Sequence, residues 1–196
     1  MGDKYVPNER EIAFHEAGHT VTGYLFYRVQ SVSIVPAELE GRSTHGLTDL
    51  VIPDEMFLGG ADKEDKFIEY LKIIICLLSG KYFQKTVLGF DDMAGAIDDI
   101  EYLSLYLYDD NDNFYKPLWS VANAIVAEFC SDAIIISMVN IIAEEILHKK
   151  VLNEKEIKKL LNAVSIDFVT LLAKIKENHY LPFCDAMTLL LTNSKN

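Results

Sequence analysis

Apolar residues recur at helical spacing from Ile12 onward, through Ala13, Ala17, Val21, Tyr24 and Leu25, to about Tyr27. Pro7 and Asn8 precede that run, and Glu9 and Glu11 open it. Asn8 and Glu11 stand three apart, the spacing of a capping box, and acidic groups suit a helix start. The pattern then shifts toward alternation. Val29 to Val35 reads as a short strand ending at Pro36, and Gly46 to Ile52 as a second ending at Pro53. Helical patterns follow over Lys63 to Val87 and Asp92 to Tyr108, and the Asp109–Asn113 run of Asp and Asn marks a loop. Pro117 opens a helical region to about Lys150, Asn153 with Glu156 caps a helix to about Asn178, and Pro182 opens a short last helix. The expected fold class is α+β and predominantly helical, a small β-sheet packed beside a helical bundle.

Composition narrows the picture. At 196 residues and 50% hydrophobic, the chain can bury a sizeable core, and the absence of repeats points to one domain over 1–196. A net charge of −12 argues against nucleic acid or an anionic membrane surface as partner, since both require basic patches. The apolar runs Ile73–Leu78 and Ala133–Ile136 fall far short of the roughly 20 residues of a transmembrane helix. Cys76, Cys130 and Cys184 are odd in number and set in apolar surroundings, as reduced, buried thiols are. With no signal peptide ahead of the capped helix, the expected location is cytoplasmic or an organelle interior.

Chemistry concentrates in the first helix. His15 and His19 are four apart, with Glu16 directly after the first of them. Residues i and i+4 share a helix face, so both imidazoles can bind one ion while the carboxylate stands beside it. This is the zincin layout for metal-assisted peptide hydrolysis, with Zn²⁺ as cofactor. Neutral imidazoles bind Zn²⁺ at about 2.0–2.1 Å, and a catalytic site has three protein ligands plus a water whose pKa falls to about 7. Glu16 then serves as general base, taking a proton from that water and returning it to the leaving amine. Gly18 lies between the two histidines; a mid-helix glycine costs about 0.5–1 kcal/mol against alanine and hints at close approach of another element.

The third ligand sets the type. A metzincin would carry its third histidine six residues after His19, where Leu25 stands, and its glycine where Thr22 stands, which excludes that branch. Glu38 and Glu40 would suit a thermolysin-like set, but they flank a Pro36 and Gly41 turn.

The stretch Ala13–Val21, then Val32–Pro36, then Gly46-Leu47-Thr48, resembles the peptidase domain of the FtsH-type ATP-dependent zinc proteases. Leu77–Lys81 is similar to that family's Gly-rich helix segment, and Gly95–Ile100 to its Gly-Ala-Ser-Asn-Asp-Ile segment, whose aspartate is the third zinc ligand. Matched residue by residue, the resemblance implies the ligand set His15, His19 and Asp99, with the neighbouring Asp98 as the alternative third ligand. It also implies a peptidase acting on unfolded or extended polypeptides. No Gly-x-x-x-x-Gly-Lys-Ser/Thr loop occurs in the sequence, so what the resemblance implies is a peptidase domain without ATPase module or membrane anchor, expected to be ATP-independent in itself, with an ATPase partner in trans and homo-oligomeric assembly as open possibilities.

Zincins hold substrate in extended form along an edge strand near the metal, by backbone pairing. By resemblance that strand is His45-Gly46-Leu47-Thr48, with Gly46, Leu47 and Thr48 as the substrate-binding residues; an ordinary structural strand reads the same way. Two other classes fit the sequence. One is a non-cleaving binding or regulatory module that keeps the peptidase fold, and the other is a helical interaction protein with a fortuitous histidine pair.

Overall fold

Asn8 starts the first helix as its spacing predicts. In the computed structural model, which describes residues 6–39, 42–52, 63–89, 99, 112–163 and 177–178, helix α1 runs Glu9–Phe26. The Asn8 side chain accepts from the amides of Arg10 and Glu11 at 3.0 and 3.1 Å, and the Asn8 amide donates to Glu11 Oε2 at 2.8 Å. Both halves of the capping box are therefore closed, a contribution of about 1 kcal/mol.

A long middle stretch of α1, Ala13 through Gly23, is buried, polar residues included. Its hydroxyls turn inward on the helix itself, Thr20 to the Glu16 carbonyl and Thr22 to the Gly18 carbonyl, both at 2.8 Å. Strands β1 (Arg28–Ser33), β2 (Ala37–Leu39), β3 (Arg42–Thr44) and β4 (Leu47–Val51) follow, then helices α2 (Lys63–Leu88), α3 (Asp112–Phe129) and α4 (Ala133–Lys149), strand β5 (Val151–Asn153) and helix α5 (Glu154–Asn162). Helix α1 is central, packed by α2, α4, β1 and β4. The described chain is thus mostly helical with a small antiparallel sheet, the expected α+β class.

The sheet has the order β4-β1-β5, with both pairings antiparallel, and β2 and β3 form a separate hairpin. Val29 and Val32 of β1 both face inward although they are three apart. A bulge between Val29 and Ser31 inserts the extra residue that restores the face. Fully buried side chains of the helices, among them Phe14, Phe83, Phe129, Ile135 and Ile142, join Val32 and Leu152 of the sheet in one core. Truncating such a phenylalanine costs about 3–5 kcal/mol.

Several boundaries differ from the sequence pattern. The helical region expected from Pro117 to about Lys150 is two helices bent by 82°. The Asp132 side chain accepts from the amides of Ile134 and Ile135 at 2.8 and 3.1 Å and so begins a new helix. The first of the two starts at Asp112, inside the stretch expected as a loop; an acidic first turn suits a helix N-terminus. Strand β1 ends at Ser33 rather than Val35, because the Ser33 hydroxyl captures the Val35 amide at 3.0 Å ahead of Pro36. The hairpin β2–β3 and the three-residue β5 carry too little pattern to be read. Lys150, with φ 69°, turns the chain out of α4 in the left-handed conformation and straight into β5. The helix expected over Asp92 to Tyr108 lies outside the described residues apart from Asp99, as do positions 164–176 of the helix expected to Asn178 and the helix expected to open at Pro182. Among the described residues, no single helix is long and apolar enough to cross a membrane.

Candidate metal centre

One turn of α1 presents His15 and His19 to a single point. Their Nε2 atoms lie 2.9 Å apart, with the rings edge to face. Asp99, in helical backbone and 80 positions beyond His19, brings Oδ2 to 3.1 Å from His15 Nε2 and 3.3 Å from His19 Nε2. The three side chains, two buried and one half-buried, form a group that could hold a metal ion.

The donor set fits such an ion. Ligands on a tetrahedral ion at 2.0–2.1 Å stand about 3.3–3.4 Å from one another, and the three edges here are 2.9, 3.1 and 3.3 Å. His19 Nδ1 lies 2.6 Å from the Cys76 carbonyl oxygen. A carbonyl only accepts, so Nδ1 carries the hydrogen, and Nε2 is the nitrogen turned to the site, with its lone pair available whenever the ring is neutral. Burial opposes charge on His19, but the Asp99 carboxylate, with Glu16 and the Cys76 carbonyl, outweighs it and raises the imidazole to about 9. Burial likewise pushes the Asp99 carboxyl up, yet His19 and His15 outweigh that and hold it well below the usual carboxylate range. The pocket is built for a positive charge at the meeting point of the three donors.

Helix α2 closes the other side. A Cβ at Gly80 would lie 2.6 Å from His19 Cε1 and 2.8 Å from His15 Nε2, so only glycine lets α2 pass against the imidazoles. One step away, a Cβ at Gly18 would lie 2.7 Å from the Ser79 carbonyl oxygen and 3.0 Å from Gly80 Cα. The close approach that Gly18 hinted at is the crossing of α1 with α2. The Thr22 and Ser79 hydroxyl oxygens meet at that crossing, 2.7 Å apart, and the one proton of Ser79 serves either Thr22 Oγ1 or the Cys76 carbonyl oxygen, 2.5 Å away.

Glu16 is buried beside the histidines, 7% exposed. Burial raises its pKa, opposed by the two imidazoles and by a hydrogen bond from Thr48. Burial thus makes the Glu16 carboxylate a stronger proton acceptor than a solvated glutamate.

Of the residues expected at the site, His15, His19 and Asp99 come together with Glu16 beside them. Gly46 and Thr48 pack on Glu16, while Leu47 pairs with Ser33 of β1. Among the described residues β4 ends its sheet. His45 and Glu38 are exposed and stand outside the ligand group; Asp98 and Glu40 lie outside the described residues. Sequence reasoning missed the Cys76 carbonyl and the wedge at Gly80. A backbone acceptor leaves no trace in a sequence, whereas Ser79-Gly80, breaking the apolar run from Ile73, is the kind of signal that marked Gly18.

No protein-family model matches this chain, and a search of curated proteins gives no match either.

Proposed function

We propose that this chain is a zinc-dependent metallopeptidase. Within that class, its ligand order His15, His19 and a distant Asp99 follows the FtsH-type peptidase pattern. The observation that carries the reading is the convergence of His15 Nε2, His19 Nε2 and Asp99 Oδ2 beside the buried carboxylate of Glu16.

Two imidazoles and one carboxylate suit zinc and ferrous iron alike; the adjacent buried base favours hydrolysis, and so zinc. Held by His15, His19 and Asp99, zinc would polarise the scissile carbonyl and acidify a water. Glu16 takes one proton from the water as its oxygen bonds to the carbonyl carbon. It passes that proton to the amide nitrogen as the C–N bond breaks, so one water yields one new carboxyl and one new amine. His19 is held in its donor orientation by the Cys76 carbonyl, and Gly80 keeps α2 from crowding the ligands. Strand β4, which among the described residues ends its sheet beside Glu16, offers main-chain groups to an extended polypeptide.

Glu16→Gln should abolish cleavage of an unfolded protein while zinc stays stoichiometric, and His19→Ala should lose the zinc. Undiminished cleavage by the Glu16→Gln protein would overturn the mechanism. Stoichiometric zinc with no cleavage by the wild type would leave a non-cleaving module in its place.

A further inference from the structure

Thr48, the second residue of β4, stands opposite Val32 of β1, and Val32 is wholly buried. Directly paired residues share a sheet face, so Thr48 points at α1. Alternation puts Gly46 and Leu50 on the same face. A Cβ at Gly46 would lie 2.7 Å from both Cγ and Oε1 of Glu16 and 2.8 Å from Ile12 Cγ2, and Leu50 Cδ2 would meet a Cβ at Gly23. The strand therefore runs along the helix, with Gly46 over Ile12 and Glu16, Thr48 over Glu16 and Thr20, and Leu50 over Gly23. Four strand steps and nine helical steps both advance roughly 13 Å, which keeps all three contacts in register.

Thr48 Oγ1 lies 2.7 Å from Glu16 Oε2 and 3.1 Å from the Glu16 carbonyl oxygen. The Thr20 hydroxyl already donates to that carbonyl at 2.8 Å. The single proton of Thr48 goes to the nearer acceptor, the carboxylate, as a charge-assisted bond.

We propose that Thr48 is a positioning residue for the general base: its hydroxyl clamps Oε2 of Glu16 and leaves Oε1 as the oxygen that exchanges the proton with water. Gly46 lets the strand come close enough for the clamp to close. The proposal rests on the peptidase reading, and it moves Thr48 from the substrate to the base. With its hydroxyl proton committed to Glu16, substrate meets β4 through main-chain groups. A glutamate has three rotatable bonds, and a catalytic group must be held to within about 0.5 Å to keep its rate.

Thr48→Val removes the hydroxyl at nearly constant shape and suits a strand, so the variant keeps its fold. The expected result is a kcat lowered roughly 10- to 100-fold with KM within about twofold and zinc content unchanged. Thr48→Ser should recover kcat to within about threefold of wild type. A readout without turnover accompanies it: in metal-free protein, urea unfolding of Glu16→Ala, Thr48→Val and the double variant should show strongly non-additive effects on the unfolding constant. A Thr48→Val enzyme with wild-type kcat overturns the positioning role, as does a Thr48→Ser enzyme as impaired as Thr48→Val. Additive unfolding effects overturn the clamp itself. A wild-type protein that cleaves nothing sinks the peptidase reading, and the unfolding cycle still decides whether Thr48 holds Glu16.

Discussion

The carbonyl oxygen of Cys76 lies 2.6 Å from His19 Nδ1, so a main-chain group of α2 decides which nitrogen of an α1 histidine faces the ligand group. The contact spans 57 positions of sequence. It makes the α1–α2 crossing a part of the candidate metal centre rather than only of the core, because any movement of α2 along α1 would turn the His19 ring. Partners of this kind around metal-binding histidines typically change metal affinity 10- to 100-fold when lost.

Metal removal should therefore be read in stability as well as activity. An ion bound to the folded chain and not to the unfolded one adds about 2.7 kcal/mol at a hundredfold excess over its Kd. Adding a strong chelator to zinc-loaded protein should lower Tm by several degrees and leave the His19→Ala protein unchanged. Equal melting of the two proteins with and without chelator would mean that the ligand group holds no ion.

Gly80→Ala is expected to separate folding from metal binding. Alanine gains about 1 kcal/mol of helix propensity over glycine, but its Cβ would press on His19 and stand 2.8 Å from His15 Nε2. The imidazoles have to swing away from their meeting point to make room. Zinc content, measured by elemental analysis after gel filtration, should fall at least tenfold while far-UV circular dichroism stays helical. Full zinc occupancy in the folded variant would show that α2 does not press on the site.

How much of this was legible in the sequence depends on whether a residue's role is local. The capped start of α1, the His15/Glu16/His19 face and the Asn153–Glu156 capping box are set by spacings of three and four residues, and the structure has them where the spacing placed them. Asp99 reached the histidines only through a resemblance, since no local rule links positions 80 apart. Strand β5 was invisible because three residues between a helix end and an N-cap carry no period. The break at Asp132 had a local signal, an N-cap residue, that the surrounding apolar run masked. For Thr48 the sequence offered a place on a strand near the histidines, and only the packing reveals that Glu16 lies under it.

The local part can be tested on its own. Asn8→Ala removes the acceptor of two amides at the start of α1 and should cost about 1 kcal/mol in urea denaturation, within the 0.5–2 kcal/mol range of such caps. Since the first turn lies ahead of His15, zinc stoichiometry should not change. A loss above about 3 kcal/mol, or loss of zinc, would mean that the entry to α1 is coupled to the metal centre.

Cys76 offers a direct report on the α1–α2 crossing. Burial pushes its thiol up from 9.0 to about 12, with Glu69 adding to the rise and Thr22 and Lys72 opposing it. The thiolate is the reactive form, so the fraction available at pH 8 falls about a thousandfold relative to an unshifted thiol. Because the ionised form is the one disfavoured, alkylation of the native protein should stay slow from pH 7 to 9. It should accelerate about tenfold per pH unit only while the fold holds, and reach the free-thiol rate in denaturant. Cys130, half-buried and pushed up to about 11, should label ahead of Cys76. Peptide mapping after timed iodoacetamide treatment distinguishes the two sites. Rapid labelling of Cys76 in the folded protein would show that α2 lifts from α1, and with it that the Cys76 carbonyl does not hold His19 in place.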